Sequence, residues 1–393
     1  MTRSPPAPFP QERGIPMTPG AAPLEYAPQT VSPPGETLKE TLEELGISQA
    51  DLARRTGLST KHINQIVQGA AVLSPETALL LERITDVPAT VWNTLEAAWR
   101  TQVLLEQERE KLASQTGWLD NFPLADLAAR GVLPNRDRTV ANLQRLLQFF
   151  GVASPPVAED LWRGYSAAFR RSTSTTPDQY ATYAWLRLSV LEARHRTCKP
   201  YRREALYDLL PSIRALSAQE PELWITQLPA LCSQAGVAVI FSPAFKNTHL
   251  SGATRWLTPD KAMIALTDRY KKDDRFWFTV FHEIGHVLLH GKRLTFLDDD
   301  PLKGTTTAEE EANNFAAHAL IPPEYEAAYE TLRRRPKPFT HIQRFAAQVG
   351  IAPGIVVGRL QHDKALDWRE GNKLKRDFDL AALTPAQSSN AAR

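Results

Sequence analysis

The 393-residue chain is short of cysteine, with only Cys198 and Cys232, far apart in sequence. Two distant thiols build neither a disulfide framework nor a thiolate metal site, and a reducing, cytoplasmic setting is the simplest expectation. Long apolar runs are missing too. No stretch approaches the roughly 20 residues a helix needs to cross a bilayer, so no membrane partner is expected. Residues 1–16 lack the apolar core of a secretory leader. An excess of one charge is also absent: 46 Lys and Arg face 44 Asp and Glu, and the net +2 names no partner.

What is present is unevenly distributed. Residues 1–34 are rich in proline and poor in aliphatics, and should form an extended or disordered tail. A chain of this length favours two or three domains. Helical patterning runs from Glu36 to about Gln107 and again from about Gly117 to Gln219, broken by a loop at residues 172–178 whose Pro177 is placed to start the next helix. Three short β-branched segments follow, residues 236–241, 252–257 and 262–267, and read as strands of one small sheet. Helices are expected at about 273–291 and 307–320, the second stopped by Pro322 and Pro323. Basic residues cluster between Arg136 and Arg214 and again between Arg333 and Arg376, where 11 Lys and Arg face 3 Asp and Glu. Such stretches attract phosphates or simply form a solvated face.

Within the first of those two late helices lies His282-Glu283-Ile284-Gly285-His286. Residues four apart on a helix stand about 40° apart around its axis, so both imidazoles can reach one metal ion, with Glu283 between them beside that ion. The apolar stripe of Trp277, Val280, Phe281, Ile284, Val287 and Leu288 lies off the histidines, so one side packs while the other offers ligands. Gly285, costly in a helix interior by roughly 1 kcal/mol against Ala, would leave room for a substrate backbone or a neighbouring strand. A third ligand must come from elsewhere. Glu309 and Asn313 share a face of the next helix, so Glu309 could bind metal while Asn313 holds a ligand histidine. Glu310 and Glu311 should point to solvent. His318 and the aspartates 298–300 are rival ligands, and His290 either supports the site or is simply exposed. Zn²⁺ with two histidines, a carboxylate and an open position is apparatus for amide hydrolysis. Glu283 would act as base, and Arg269, Tyr270 and His318 are the candidate oxyanion donors.

Residues 276–290 together with Glu309, Ala312, Asn313, Phe315 and Ala316 closely resemble the ImmA/IrrE family of metallo-endopeptidases. The strand 252–257 and the pair Asp274-Arg275 are similar to that family as well. The resemblance covers about residues 155–325. It implies a zincin-like (gluzincin) α+β domain in which His282, His286 and Glu309 hold Zn²⁺ with Glu283 as base. It also implies protein repressors as substrates, cut to release stress or mobile-element genes. The family's commoner Glu-Leu-Leu-Met-Pro ending is replaced here by residues 318–322, His-Ala-Leu-Ile-Pro.

The N-terminal helical block has another signature. Ser48 and Asp51 have capping-box spacing, Gly57 permits a tight turn, Gly69 ends a second short helix, and Ser74-Pro75 starts a third. Leu52, Ala53, Leu58, Ile63 and Ile66 fall where a helix-turn-helix buries its core. Residues 48–69 resemble the lambda-repressor-like (XRE-type) DNA-binding domains, particularly those of HigA-type antitoxins. The resemblance implies that Thr60, Lys61, Asn64 and Gln65 face the major groove of an operator, with Gln49 and Gln68 contacting phosphates or supporting the base readers. A helical protein-interaction module is the competing reading, favoured by 6 Lys and Arg against 9 Asp and Glu across residues 36–100. Affinity would then come from a homodimer, which is expected, or from the basic regions downstream.

The expected fold is mainly α with a small β-sheet. Its parts are a disordered tail (1–34), a five-helix DNA-binding domain (35–105), a helical linker (106–155) and a zinc peptidase domain (156–330). A basic helical region follows (331–378), which either forms a second helix-turn-helix or, as favoured, packs beside the peptidase domain; residues 379–393 are a disordered tail. The expected function is a transcriptional regulator whose zinc-dependent peptidase cleaves or senses a protein partner, a repressor or toxin, in a stress, mobile-element or toxin–antitoxin circuit. The alternative is a non-proteolytic antitoxin or repressor whose metal domain is a sensor.

Overall fold

Serine caps set the first helices. In the computed structural model, which describes residues 32–162, 178–246, 248, 250–290 and 305–383, α1 (Pro34–Glu44), α2 (Gln49–Thr56), α3 (Thr60–Val67), α4 (Pro75–Thr85) and α5 (Ala89–Ala113) follow one another closely. Ser48, Ser59 and Ser74 each accept the backbone N–H three residues on, which satisfies one orphan donor per helix. The capping box at Ser48 is half made. The Asp51 carboxylate instead takes Arg54 at 2.6 Å and Arg55 at 2.9 Å. Gly57 closes α2 at φ 77, a conformation that strains any side chain. Leu38, Leu52, Ala53, Ile63, Ile66, Leu81 and Trp92 form the core of this unit, with Leu58 packed against it. The described residues divide into two compact units, with the boundary between Glu110 and Lys111.

The second unit begins with a 3-10 turn, Thr116–Asn121, then α6 (Leu124–Ala129), α7 (Val140–Phe150) and helical residues 155–162 (α8). Next come α9 (Gln179–His195), α10 (Arg203–Leu216) and α11 (Pro221–Gln234). Pro177 and the loop expected before α9 lie outside the described residues; the cap of α9 is Asp178, whose carboxylate accepts Ala181 N–H at 3.0 Å. The strands are β1 (Val237–Phe241), β2 (Gly252–Thr258) and β3 (Lys261–Leu266). They form one sheet of order β1–β3–β2, with β1 parallel and β2 antiparallel to β3. Alternation along the strands splits the core. Val237, Val239, Phe241, Ile264 and Leu266 join one cluster with Trp277, Phe281 and Ile284. Ala238, Ile240, Met263 and Ala265 join another with Trp185 and Leu186 of α9. A sheet buried on both faces reads as near-continuous apolar sequence, as β1 and β3 do.

The helix with the histidines is α12 (Asp273–Leu289), and α13 (Thr305–Leu320) follows. Then come a 3-10 turn, α14 (Glu326–Arg334), α15 (Thr340–Val349), α16 (Pro353–His362), a further 3-10 turn and α17 (Leu380–Leu383). Ile342, Phe345, Val349, Ile355, Val356 and Leu360 lie in the same cluster as Trp277 and Phe281, so α15 and α16 pack into the core that seats α12. The approach of α16 is close. A Cβ on Gly354 would stand 2.5 Å from Asp273 Oδ1, and one on Gly358 would stand 2.7 Å from Asp274 Oδ2. Buried Lys375 pairs with Asp274 at 2.7 Å, which compensates one of the two carboxylates taken out of water. Among the described residues no helix is long and apolar enough to cross a membrane.

Candidate functional site

One face of α12 and one face of α13 converge. His282 Nε2 and His286 Nε2 lie 2.9 Å apart, and Glu309 reaches them at 3.2 and 3.7 Å. Their ligand atoms all fall within 4.8 Å of one another, the one such group of three among the described residues. The other ring nitrogens are committed. Asn313 Oδ1 sits 3.0 Å from His282 Nδ1 and therefore fixes the proton there. Glu311 Oε2 sits 3.1 Å from His290 Nε2, which places that ring's proton on Nε2. His290 Nδ1 is then an acceptor for His286 Nδ1–H at 2.9 Å. Both Nε2 atoms consequently turn lone pairs towards one point. Two lone pairs at that distance repel unless a proton or a metal cation lies between them, and two imidazoles with a carboxylate are a donor set that suits zinc.

The electrostatic surroundings of the two rings differ. Burial works against a charge on His282, but the hydrogen bond its protonated ring donates to Glu309 and the charges of Glu283 and Glu309 outweigh it and raise its pKa. His286 is pushed down to about 2, by burial first and then by His282 and His290. The pocket favours positive charge at His282 and keeps the His286 ring neutral.

Glu283 is buried beside the pair. Thr254 of β2 donates its hydroxyl to Glu283 Oε2 at 2.7 Å. The other oxygen, Oε1, faces Gly252, where a Cβ would stand 2.7 Å from it. Burial pushes the Glu283 carboxyl up to about 7, opposed by His282 and the Thr254 hydroxyl and assisted by Glu309. A carboxylate held at one oxygen and without a hydrogen bond at the other, among the described residues, can accept a proton at Oε1.

Sequence reasoning missed Thr254 and the acceptance of His290 by Glu311. Thr254 had a signal: Gly252, Thr254 and Trp256 share one face of β2 by alternation, the face turned to α12. Gly285 needs a correction. Its missing side chain leaves room for α13 rather than for a strand, since a Cβ would stand 3.1 Å from Phe315 and 3.3 Å from Ala312 Cα. Glu311, expected to face only solvent, is exposed yet bonds His290. Exposed His318 turns its Nδ1 to the Asn314 carbonyl at 2.8 Å and is not part of the converging group. The aspartates 298–300 lie outside the described residues. Arg269 and Tyr270 line a shallow cleft with Ser251, Thr267, Arg275 and Thr279.

In the other unit, Ile63 and Ile66 anchor α3 while Thr60, Lys61, Asn64 and Gln68 are exposed and Gln65 is half-buried. Gln49, at the start of α2, accepts the Asn64 side-chain amide at 3.3 Å. Thr60, Lys61, Asn64 and Gln65 of α3, Gln68 at its C-cap and Gln49 of α2 thus lie on and beside one accessible helix.

Comparison with known proteins divides the chain in the same way. Residues 38–92 match the helix-turn-helix family, and residues 232–360 match the IrrE N-terminal-like domain, a peptidase family. An uncharacterized HTH-type transcriptional regulator of Escherichia coli K12, YddM, is 30% identical over 66 residues, which span 17% of this chain and 70% of that protein. A solved addiction module antidote protein of a HigA family from Coxiella burnetii is 27% identical, covers 21% of this chain and 92% of its own, and has a TM-score of 0.20.

Proposed function

We propose a function for a chain that belongs to the helix-turn-helix transcriptional regulators and carries an IrrE N-terminal-like domain: it binds an operator and is a zinc-dependent endopeptidase that cuts a protein partner, a repressor or toxin, in a cytoplasmic regulatory circuit. The observation that carries the hydrolytic half is the convergence of His282, His286 and Glu309 beside Glu283, which Thr254 holds by one oxygen only. A pure sensor has no use for that base.

Zn²⁺ held by His282, His286 and Glu309 would polarise a scissile carbonyl and acidify water. Asn313 and the His290–Glu311 pair keep both ligand histidines in the Nε2-donating tautomer. Thr254 fixes the Glu283 carboxylate through Oε2, and Oε1 takes a proton from the attacking water and passes it to the leaving amine. On the DNA side, Thr60, Lys61, Asn64 and Gln65 read bases while Gln49 and Gln68 position α3 on the backbone. A homodimer offsets the acidic balance of that unit.

The test compares zinc-loaded wild type with Glu283→Gln against proteins encoded beside it. Both should hold zinc and only the wild type should cut. Equal zinc content with no cleavage of any partner by either protein would return the chain to the sensor reading.

A further inference from the structure

The cleft beside the hydrolytic site is lined by several cations, of which Arg269 lies over Tyr270 at 4.9 Å. Lys271 and Lys272, on the same wall, are neutralised by Asp379 at 2.5 Å and Asp377 at 2.7 Å. Asp268 accepts the Leu380 N–H at 3.2 Å. Arg275, exposed, has no ion pair among the described residues. Its guanidinium instead lies over two aromatic rings, Tyr270 at 5.3 Å and Trp368 at 5.5 Å. Both rings are about half exposed, at 49% and 55%. Stacking holds a guanidinium in place while leaving its N–H edge unused, which is the arrangement that recognises a carboxylate bidentately.

Arg275 is also in line with the chemistry. Arg275, Thr279 and Glu283 follow at intervals of four along α12, and Thr279 lines the cleft. Thr279 Cγ2 and Glu283 Oε1 both face the Cβ position of Gly252, at 2.8 and 2.7 Å, so Thr279 stands between the cleft and the base. Eight helical residues span about 12 Å. An extended peptide rises about 3.3 Å per residue, so this is roughly three to four substrate residues.

We propose that Arg275, clamped by Tyr270 and Trp368, selects peptide substrates carrying an Asp or Glu roughly three to four residues from the bond that is cut. This rests on the hydrolytic reading above and gives that site a substrate class, an acidic peptide segment. Tyr270 and Trp368 are positioning residues for the guanidinium.

The test uses zinc-loaded wild type, Arg275→Ala and Arg275→Glu on a chymotryptic peptide library, with cut sites read by mass spectrometry. Wild type should show Asp and Glu enriched several-fold at the third or fourth residue on one side of the cut. Arg275→Ala should lose the enrichment while still cutting, and Arg275→Glu should prefer Lys or Arg there. Wild-type cuts with no acidic preference, or a preference that survives Arg275→Glu, overturn the proposal and leave the peptidase reading standing. No cuts by any of the three zinc-bound proteins overturn both.

Discussion

Protons on ring nitrogens decide what the histidine pair can do. His282 owes its tautomer to Asn313, and His286 owes its own to His290, which leans on Glu311. Partners of this kind typically contribute 10–100-fold to metal affinity. His290→Ala and Glu311→Gln are therefore expected to weaken zinc binding by about 10-fold or more, measured by competition with a chelator; unchanged affinity would remove His290 from the site. Thr254→Val should leave zinc affinity intact and lower turnover by about 10-fold or more, because it frees the base without touching a ligand. A second expectation concerns Asp273, fully buried at the start of α12 with Asp274 beside it. Burial, then Asp274, pushes its carboxyl up to about 7, although backbone N–H groups and Arg376 act the other way. Lys375 is bonded to Asp274 instead. A carboxyl whose folded pKa is raised binds its proton more tightly when folded, so its contribution is fully present below about pH 4 and is lost as pH rises through about 7. The thermal midpoint of Asp273→Asn relative to wild type should therefore rise between pH 5 and pH 8, and a constant difference would contradict that assignment.

Elements were legible where the signal is local. Cap serines, the β-branched runs of β1–β3 and the five-residue histidine motif each announce themselves within a few residues. What escaped notice depends on one element meeting another. Nothing near Gly285 says that α13 is the neighbour it admits, nothing near Thr254 says that Glu283 lies opposite, and nothing near Gly354 or Gly358 points to Asp273 and Asp274, some 80 positions earlier by sequence number. These contacts are set by tertiary packing, to which local pattern is blind. Because α13 supplies Glu309, its separation from α12 matters twice. Gly285→Val should destabilise the fold by about 1–3 kcal/mol through overpacking and also lower zinc affinity by moving Glu309 away from the histidines. Loss of stability with unchanged zinc affinity, read by denaturation and chelator competition on one preparation, would show that α13 shifts without carrying its ligand.

At the scale of the molecule, two compact units divide the work, one with an accessible polar helix and one with a convergent donor set. The DNA reading belongs to the first. Each good base contact contributes about 1–3 kcal/mol of discrimination, so Lys61→Ala combined with Gln65→Ala should abolish sequence-specific operator binding in a gel-shift titration and leave zinc content unchanged. Specific binding that survives both changes would refute the role of α3. The central claim, that His282, His286 and Glu309 make one zinc centre, is tested most directly by zinc stoichiometry together with X-ray absorption on the full chain. The expected result is one zinc per chain, bound by two imidazole nitrogens at about 2.0–2.1 Å and by carboxylate oxygen, with no sulfur, and lost in Glu309→Ala. Sulfur in the ligand shell, or full zinc occupancy in Glu309→Ala, would contradict it.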